Sequence, residues 1–233
     1  RRDPTPVRKV LTMTDIEVPA APVAPVRTPL GVARGVLKTM RPRQWVKNIL
    51  VFAAPFVGGD LLTPGIVPKL LIAFVAFSLA ASGIYLVNDA RDVAADRAHP
   101  TKRFRPIAAG VVAPRLAIAV AVLLLAASVA VSLLASVQLV VVLAVYVVVQ
   151  LAYCFWLKHQ AVLDICIVAS GFLLRAIAGG AATGILLSQW FLLVAGFGSL
   201  FMVAGKRYAE MMLAEQTGAK IRKALENYTA SYL

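Results

Sequence analysis

The stretch Leu116–Leu134, LAIAVAVLLLAASVAVSLL, runs for nineteen residues without a charge. A helix needs roughly 20 apolar residues to cross a hydrocarbon core about 30 Å thick. The next stretch, Gln138–Leu157, repeats the pattern. Over all 233 residues, 60% are hydrophobic and 15% charged, against about half and a quarter in soluble domains. Helices buried in soluble proteins are seldom so long and so free of charge. The chain therefore reads as an all-α, polytopic membrane helical bundle.

Outward from these two spans the same reading continues. A short first span is expected from about Trp45 to Gly58, with Pro55 inside it, and a second from about Val67 to Asp96. A fifth runs from about Val162 to Gly180, a sixth from about Gln189 to Gly205, and a seventh begins near Lys220. Residues 1–40 are rich in Pro, Ala, Val and Arg without a helical period, and read as a disordered basic tail. Residues 41–233 form the membrane domain. Without an initiator Met or a signal-peptide pattern, the chain reads as part of a longer protein. Cys154 and Cys166 have no metal-like spacing and read as buried, inert thiols.

Loop charge orients the bundle. Ten Lys or Arg residues lie between Arg1 and Lys47, while Gly59–Pro68 has none. The next loop carries Arg91, Arg97, Lys102, Arg103, Arg105 and Arg115, and Ser132–Val137 is uncharged. Lys158 and His159 follow the fourth span, Gly179–Trp190 is again uncharged, and Lys206 and Arg207 follow the sixth. This alternation satisfies the positive-inside rule. It puts the N-terminus and the ends of spans two, four and six on the cytoplasmic face of the cell inner (plasma) membrane. The net charge of +13 is then explained by the anionic bilayer surface. No aromatic interleaving or motif suggests a nucleic acid partner.

The unusual polar residues fall on that face. Asn88-Asp89-Ala90-Arg91-Asp92-Val93-Ala94-Ala95-Asp96 places acids at i, i+3 and i+7, on one side of a continuous helix. Like charges there repel, and at a helix C-terminus they also oppose the dipole. A bound cation resolves the conflict. Mg²⁺ fits, since it takes oxygen ligands and is commonly held by one or two carboxylates plus substrate phosphates. Asp89, Asp92 and Asp96 are the expected metal ligands and catalytic residues, with Asn88 assisting.

The loop that follows, His99-Pro100-Thr101-Lys102-Arg103-Phe104-Arg105-Pro106-Ile107, sets three cations beside the acids. Guanidinium forks match phosphate oxygens, so Lys102, Arg103 and Arg105 are candidate diphosphate contacts. Two further clusters are Tyr153, Lys158 and Asp164, and Lys206, Arg207 and Glu210. Arg175 lies inside an apolar span, where a charge needs a partner or a wet cavity. An ion pair with an acid such as Asp164 ranks ahead of substrate contact for it. Gly171 and Gly179-Gly180 read as points of close helix packing.

The run Asn88-Asp89-x-x-Asp92-x-x-x-Asp96, then His99-Pro100-x-Lys102-Arg103-x-Arg105-Pro106-Ile107, then Tyr153, Lys158 and Asp164, resembles the UbiA superfamily of intramembrane prenyltransferases. The resemblance covers about Arg41 to Leu233. It implies an all-helical fold of about nine spans, six of them visible here, around a cavity open to lipid. It also implies a first acidic motif that binds Mg²⁺ and a diphosphate. Asp164 is followed four residues later by Val168, so the second DxxxD motif of the aromatic prenyltransferases is only half present.

Arg41-Pro42-x-Gln44-Trp45-x-Lys47-Asn48, Gly171-Phe172-x-Leu174-Arg175-Ala176 and Lys206-Arg207-x-x-Glu210 are similar to a phosphoribosyl-transferring branch of that superfamily. That similarity implies phosphoribosyl pyrophosphate as donor and decaprenyl phosphate as acceptor, in a step toward cell-wall arabinan. Lys47, Tyr153, Lys158, Asp164, Arg175, Lys206 and Arg207 would be the remaining substrate contacts. Prenyl transfer to an aromatic acceptor is the nearest alternative, and a transporter with a cation site is the alternative of another class. Assembly as a homo-oligomer is left open.

Overall fold

The computed structural model describes residues 28–157 and 161–217. Every regular element among them is helical. The stretch expected as the end of a disordered tail is instead a helix, α1 (Pro29–Met40). Thr28 caps it by accepting from the Gly31 amide, and Pro29 supplies a pre-set first turn. The remainder of that tail lies outside the described residues, as does the segment beginning near Lys220.

The expected first span is not a regular α-helix. Pro42–Phe52 winds as a 3₁₀ helix and passes into α2 (Ala53–Gly58). Eleven residues of 3₁₀ is unusually long. The reason lies in the side chains: at three residues per turn, i and i+3 eclipse, so Trp45, Asn48, Val51 and Ala54 form one straight stripe. Asn48, Val51 and Ala54 are buried, and Trp45 Nε1 and Asn48 Nδ2 donate to the hydroxyls of Ser82 and Ser78. A 3₁₀ rise of about 2.0 Å per residue makes the pair about 31 Å long. That length is comparable to the thickness of a bilayer core.

Five helices are long and apolar enough to cross a membrane: α3 (Ile66–Arg91), α5 (Pro114–Leu133), α6 (Val137–Phe155), α7 (Ala161–Thr183) and α8 (Gln189–Thr217). The short helix α4 (Val93–Ala98) follows α3. Buried residues on α3 include Leu70, Phe77 and Leu86, and small residues let its neighbours close in. A Cβ on Gly83 would lie 3.1 Å from the Ala121 carbonyl oxygen of α5, and one on Gly179 would overlap the Val51 carbonyl. Such backbone approach is how membrane helices gain packing energy when lipid is as apolar as their side chains. Val122, Leu123, Val145, Val148, Val194 and Phe201 face outward, which suits a lipid-exposed surface. Cys166, expected to be buried, is exposed.

The connectivity brings the ends of α3, α6 and α8 and the starts of α5 and α7 to one end of the bundle. Nearly all the clustered charge sits there. Trp156 and Trp190, at opposite ends, are both exposed, where indole rings favour a membrane–water boundary.

Candidate active site

The acidic motif does not lie on one unbroken helix. α3 ends at Arg91, and Asp92 adopts φ −86°, ψ 11° before α4 begins. The chain bends there while keeping the bonds from Asp92 N to the Asn88 carbonyl and from Asp96 N to the Asp92 carbonyl. A seven-residue spacing tolerates this bend, so Asp89 and Asp96 still meet. Both are almost fully buried. Arg105 Nη1 bridges them, 3.2 Å from Asp89 Oδ1 and 2.8 Å from Asp96 Oδ2. Asp92 is half-buried at the bend.

Arg41 completes this cluster. Its Nη2 lies 2.7 Å from Asp89 Oδ1, and its guanidinium stacks 4.5 Å from the Tyr85 ring centroid. Arg41 has φ 55° and ψ 60°, and is the only non-glycine residue with positive φ among those described. Left-handed backbone costs a residue with a Cβ of order 1–2 kcal/mol, and Pro42 bars the ordinary helical alternative. The turn is held because it aims Arg41 at a buried carboxylate. Sequence reasoning missed Arg41 as a site residue, although Arg41-Pro42 stands among the residues that carry the family resemblance.

Arg105 owes its place to the loop it stands on. Pro106, Ile107 and Ala108 are buried, and Ile107 and Val112 pack with Leu86, Ala117 and Ala121. Arg97 Nε ties the loop down by donating to the Ala108 carbonyl, 2.9 Å. Lys102 is half-buried and Arg103 exposed, its guanidinium 4.9 Å from the Phe104 ring centroid. Neither joins the buried pair. Asn88 Nδ2 donates weakly to Asp89 at 3.4 Å.

Asp164, at the start of α7, belongs to a separate cluster. Tyr153 donates its hydroxyl to Oδ1 at 2.5 Å, and Arg207 Nε donates to Oδ2 at 2.7 Å. Arg207 also reaches Glu210 at 2.9 Å, whereas Lys206 is only 4.0 Å from Glu210 and largely exposed. Lys158 lies outside the described residues.

The expected pair between Asp164 and Arg175 is not formed. Both stand on α7, three turns and about 16 Å apart at 1.5 Å per residue, too far to touch. Arg175 is held instead by Asn48 Oδ1 (2.7 Å), the Tyr146 hydroxyl (2.9 Å) and the Gly171 carbonyl. Lys47 stands on the 3₁₀ helix, its ammonium 5.8 Å from the Phe172 ring centroid. It lies in the field of Lys206, Arg175 and Arg41.

Among the described residues, no three His, Cys, Asp or Glu side chains gather as a metal cage. What exists is a buried pair of hard oxygen donors, Asp89 and Asp96, now satisfied by guanidinium. This fits a Mg²⁺ ion of the kind held by two carboxylates and completed by substrate phosphates. It fits poorly a metal caged by protein alone. Loading would require Arg41 and Arg105 to turn from carboxylate to phosphate oxygens, which the same fork geometry suits.

The family model described as the UbiA prenyltransferase family matches residues 49–216. The decaprenyl-phosphate phosphoribosyltransferase of Mycolicibacterium smegmatis is 64% identical over 209 residues, covering 88% of this chain and 66% of that protein. The protein of the same name from Mycobacterium tuberculosis is 61% identical, with 88% and 69% covered. This chain thus spans about two thirds of the length of these relatives. A structure of a UbiA homolog from Archaeoglobus fulgidus bound to GPP and Mg²⁺ superposes with a TM-score of 0.69 at 19% identity. It covers 83% of this chain and 69% of that one, a likeness of fold.

Proposed function

The chain belongs to the UbiA prenyltransferase family, and we propose that it transfers 5-phosphoribose from phosphoribosyl pyrophosphate to a polyprenyl phosphate such as decaprenyl phosphate. The observation that carries this reading is the buried Asp89–Asp96 pair beneath Arg41 and Arg105. A pair of acids capped by two guanidinium groups suits a metal–diphosphate donor. The state of Asp164 favours the phosphoribosyl branch. Its two oxygens are engaged by Tyr153 and Arg207, so it offers no second open metal site.

Asp89 and Asp96 would hold the metal, with Asp92, half-buried at the bend between them in sequence, as a further candidate oxygen donor. Bound Mg²⁺ would neutralise charge on the leaving diphosphate. Arg41 and Arg105 would follow the diphosphate as its bond to the ribose breaks, and Lys102 and Arg103 stand at the rim for donor phosphates. The C1–O bond to pyrophosphate breaks with its electron pair leaving on pyrophosphate. An oxygen of the acceptor phosphate dianion supplies the new bond to C1 and makes a phosphodiester. The acceptor is already an anion near neutral pH, so no general base is required, and catalysis rests on positioning and electrostatics. The charged end of the bundle faces the cytoplasm in this reading, where a soluble phosphorylated donor is available.

Membranes carrying the full-length protein, given radiolabelled phosphoribosyl pyrophosphate, decaprenyl phosphate and Mg²⁺, should move label into the organic phase. Chelation should stop it. Label that stays aqueous while a labelled polyprenyl diphosphate reacts with an aromatic acid would replace this reading with aromatic prenylation.

A further inference from the structure

Arg91 and Arg115 stand at the charged end of the bundle, both exposed, and neither pairs with an acid among the described residues. Arg91 closes α3. Its Nη1 donates at 3.1 Å to the Cys154 carbonyl, one of the last carbonyls of α6, which helix geometry leaves without a partner inside that helix. Its guanidinium also lies 4.5 Å from the Phe155 ring centroid. A planar group gripped at one corner and stacked on a ring presents its other N–H groups in a set direction. Arg115 has no such local reason. It sits in the first turn of α5, where a cation opposes the helix dipole, and no acid in that turn offsets it. The positive-inside rule accounts for two cations at this end, but not for what lies between them.

Between them the surface falls into a groove of about 380 Å³, walled by Val87 and Ala90 of α3, Ile118 of α5 and Phe155 of α6, with both arginines. The two guanidinium groups are its only polar side chains. At about 100° per residue, Val87, Ala90 and Arg91 lie about 160°, 100° and 200° around α3 from Asp89. The groove therefore opens on the far side of that helix from the carboxylate pair and is no part of the reaction site. Farther from this end, the face of Ile118 continues to Val122 and that of Phe155 to Val148. Both valines are exposed, so the groove runs on into lipid-facing surface.

An apolar slot with two cations at its mouth, open to lipid at a membrane boundary, calls for a ligand with an anionic head and a long apolar body. A soluble phosphate would leave the slot unfilled, and an uncharged lipid would leave both arginines unpaired. A peptide would bring backbone polar groups to a wall that cannot answer them. Basic pockets between membrane helices hold anionic headgroups in this way.

We propose that the groove between α3, α5 and α6 binds an anionic phospholipid, its phosphate between Arg91 and Arg115 and an acyl chain along Ile118 and Phe155. The lipid ties the ends of three helices together beside the bend at Asp92. This site is independent of the reaction assigned to the opposite side of α3.

The full-length protein is equilibrated in nanodiscs of equal phosphatidylglycerol and phosphatidylcholine. Lipids that stay bound after transfer to detergent are then counted per copy by native mass spectrometry. Wild type should hold phosphatidylglycerol over phosphatidylcholine by about five- to thirtyfold, since each cation near an anionic headgroup is worth about 1 kcal/mol. Arg91→Gln with Arg115→Gln should bring that preference to within about twofold. Arg115→Gln alone, at an exposed residue with no partner to lose, should fall between the two with its Tm unchanged. Ile118→Trp fills the slot while leaving both charges, and should remove about one phosphatidylglycerol per copy. Arg34→Gln with Lys38→Gln neutralises exposed cations of α1 instead, and should stay within about twofold of wild type. Equal retention of the two lipids by wild type overturns the proposal. So does an α1 variant that loses as much as the groove variant, or an Ile118→Trp protein that keeps its full complement. A polypeptide found on the groove in the full-length protein overturns it as well.

Discussion

Two buried carboxylate clusters lie at the same end of this bundle, and their guanidinium partners differ. At Asp89 and Asp96 the arginines are Arg41 and Arg105, whose side chains are 30% and 28% exposed. At Asp164 the partner is Arg207, 5% exposed. Arg41 comes from a turn between two helices and Arg105 from a loop, so each can leave its acid at modest cost. Arg207 stands in the middle of α8 between Asp164 and Glu210, and has nowhere to go. The first cluster is built to exchange a guanidinium for a metal and a diphosphate. The second fastens the start of α7 to α8, with Tyr153 of α6 as a third arm. The same residue types thus make an open site or a lock, according to whether water can reach the cation.

The two clusters should differ most at Asp89. Asp89→Asn should lower the transfer rate by about a thousandfold or more, because charge on the leaving diphosphate is then poorly compensated. The membrane assay of label transfer reads this directly, and a rate within tenfold of wild type would end the metal assignment. Folding should suffer little, since Arg41 and Arg105 can turn to water.

Asp164→Ala should show the opposite balance. It leaves Arg207 buried with only the partly exposed Glu210, and removal of one partner from a buried pair costs about 3–5 kcal/mol. Thermal unfolding in detergent should detect a clear fall in Tm. The double variant Asp164→Leu with Arg207→Leu should recover much of the loss. A single variant as stable as wild type would show that Asp164 does not fasten α7 to α8.

The smallest effect belongs to Lys206→Ala. Its pair with Glu210 is long and exposed, and such pairs contribute about 0–1 kcal/mol. Tm should not move measurably. A loss matching that of Asp164→Ala would mean that the α7–α8 lock depends on the outer pair.

Much of the fold was legible because membrane insertion depends on summed hydropathy, which survives errors at the ends of segments. Leu116–Leu134 and Gln138–Leu157 differ from α5 and α6 by only a few residues. The winding of the first span was not legible because 3₁₀ geometry is chosen by the stripe Trp45, Asn48 and Val51 finding its partners on α3 and α7. No local propensity records that. The bend at Asp92 is likewise invisible to spacing, since seven residues bring two side chains together in both a straight and a kinked helix. The supposed pair of Asp164 with Arg175 was open to correction from helix geometry alone. The true partner of Asp164, supplied from α8, was not.

The sequence by itself determined the membrane class, the alternation of charged and uncharged loops, and the acids and bases available for chemistry, because these are sums over neighbouring residues. The tertiary structure decided which cation meets which anion. Ion pairs form across distances of about 3 Å between residues up to 48 positions apart, as at Arg41 and Asp89. It alone left Arg175 among neutral acceptors beside Lys47, since only packing of the 3₁₀ helix against α3 and α7 brings those residues to one depth.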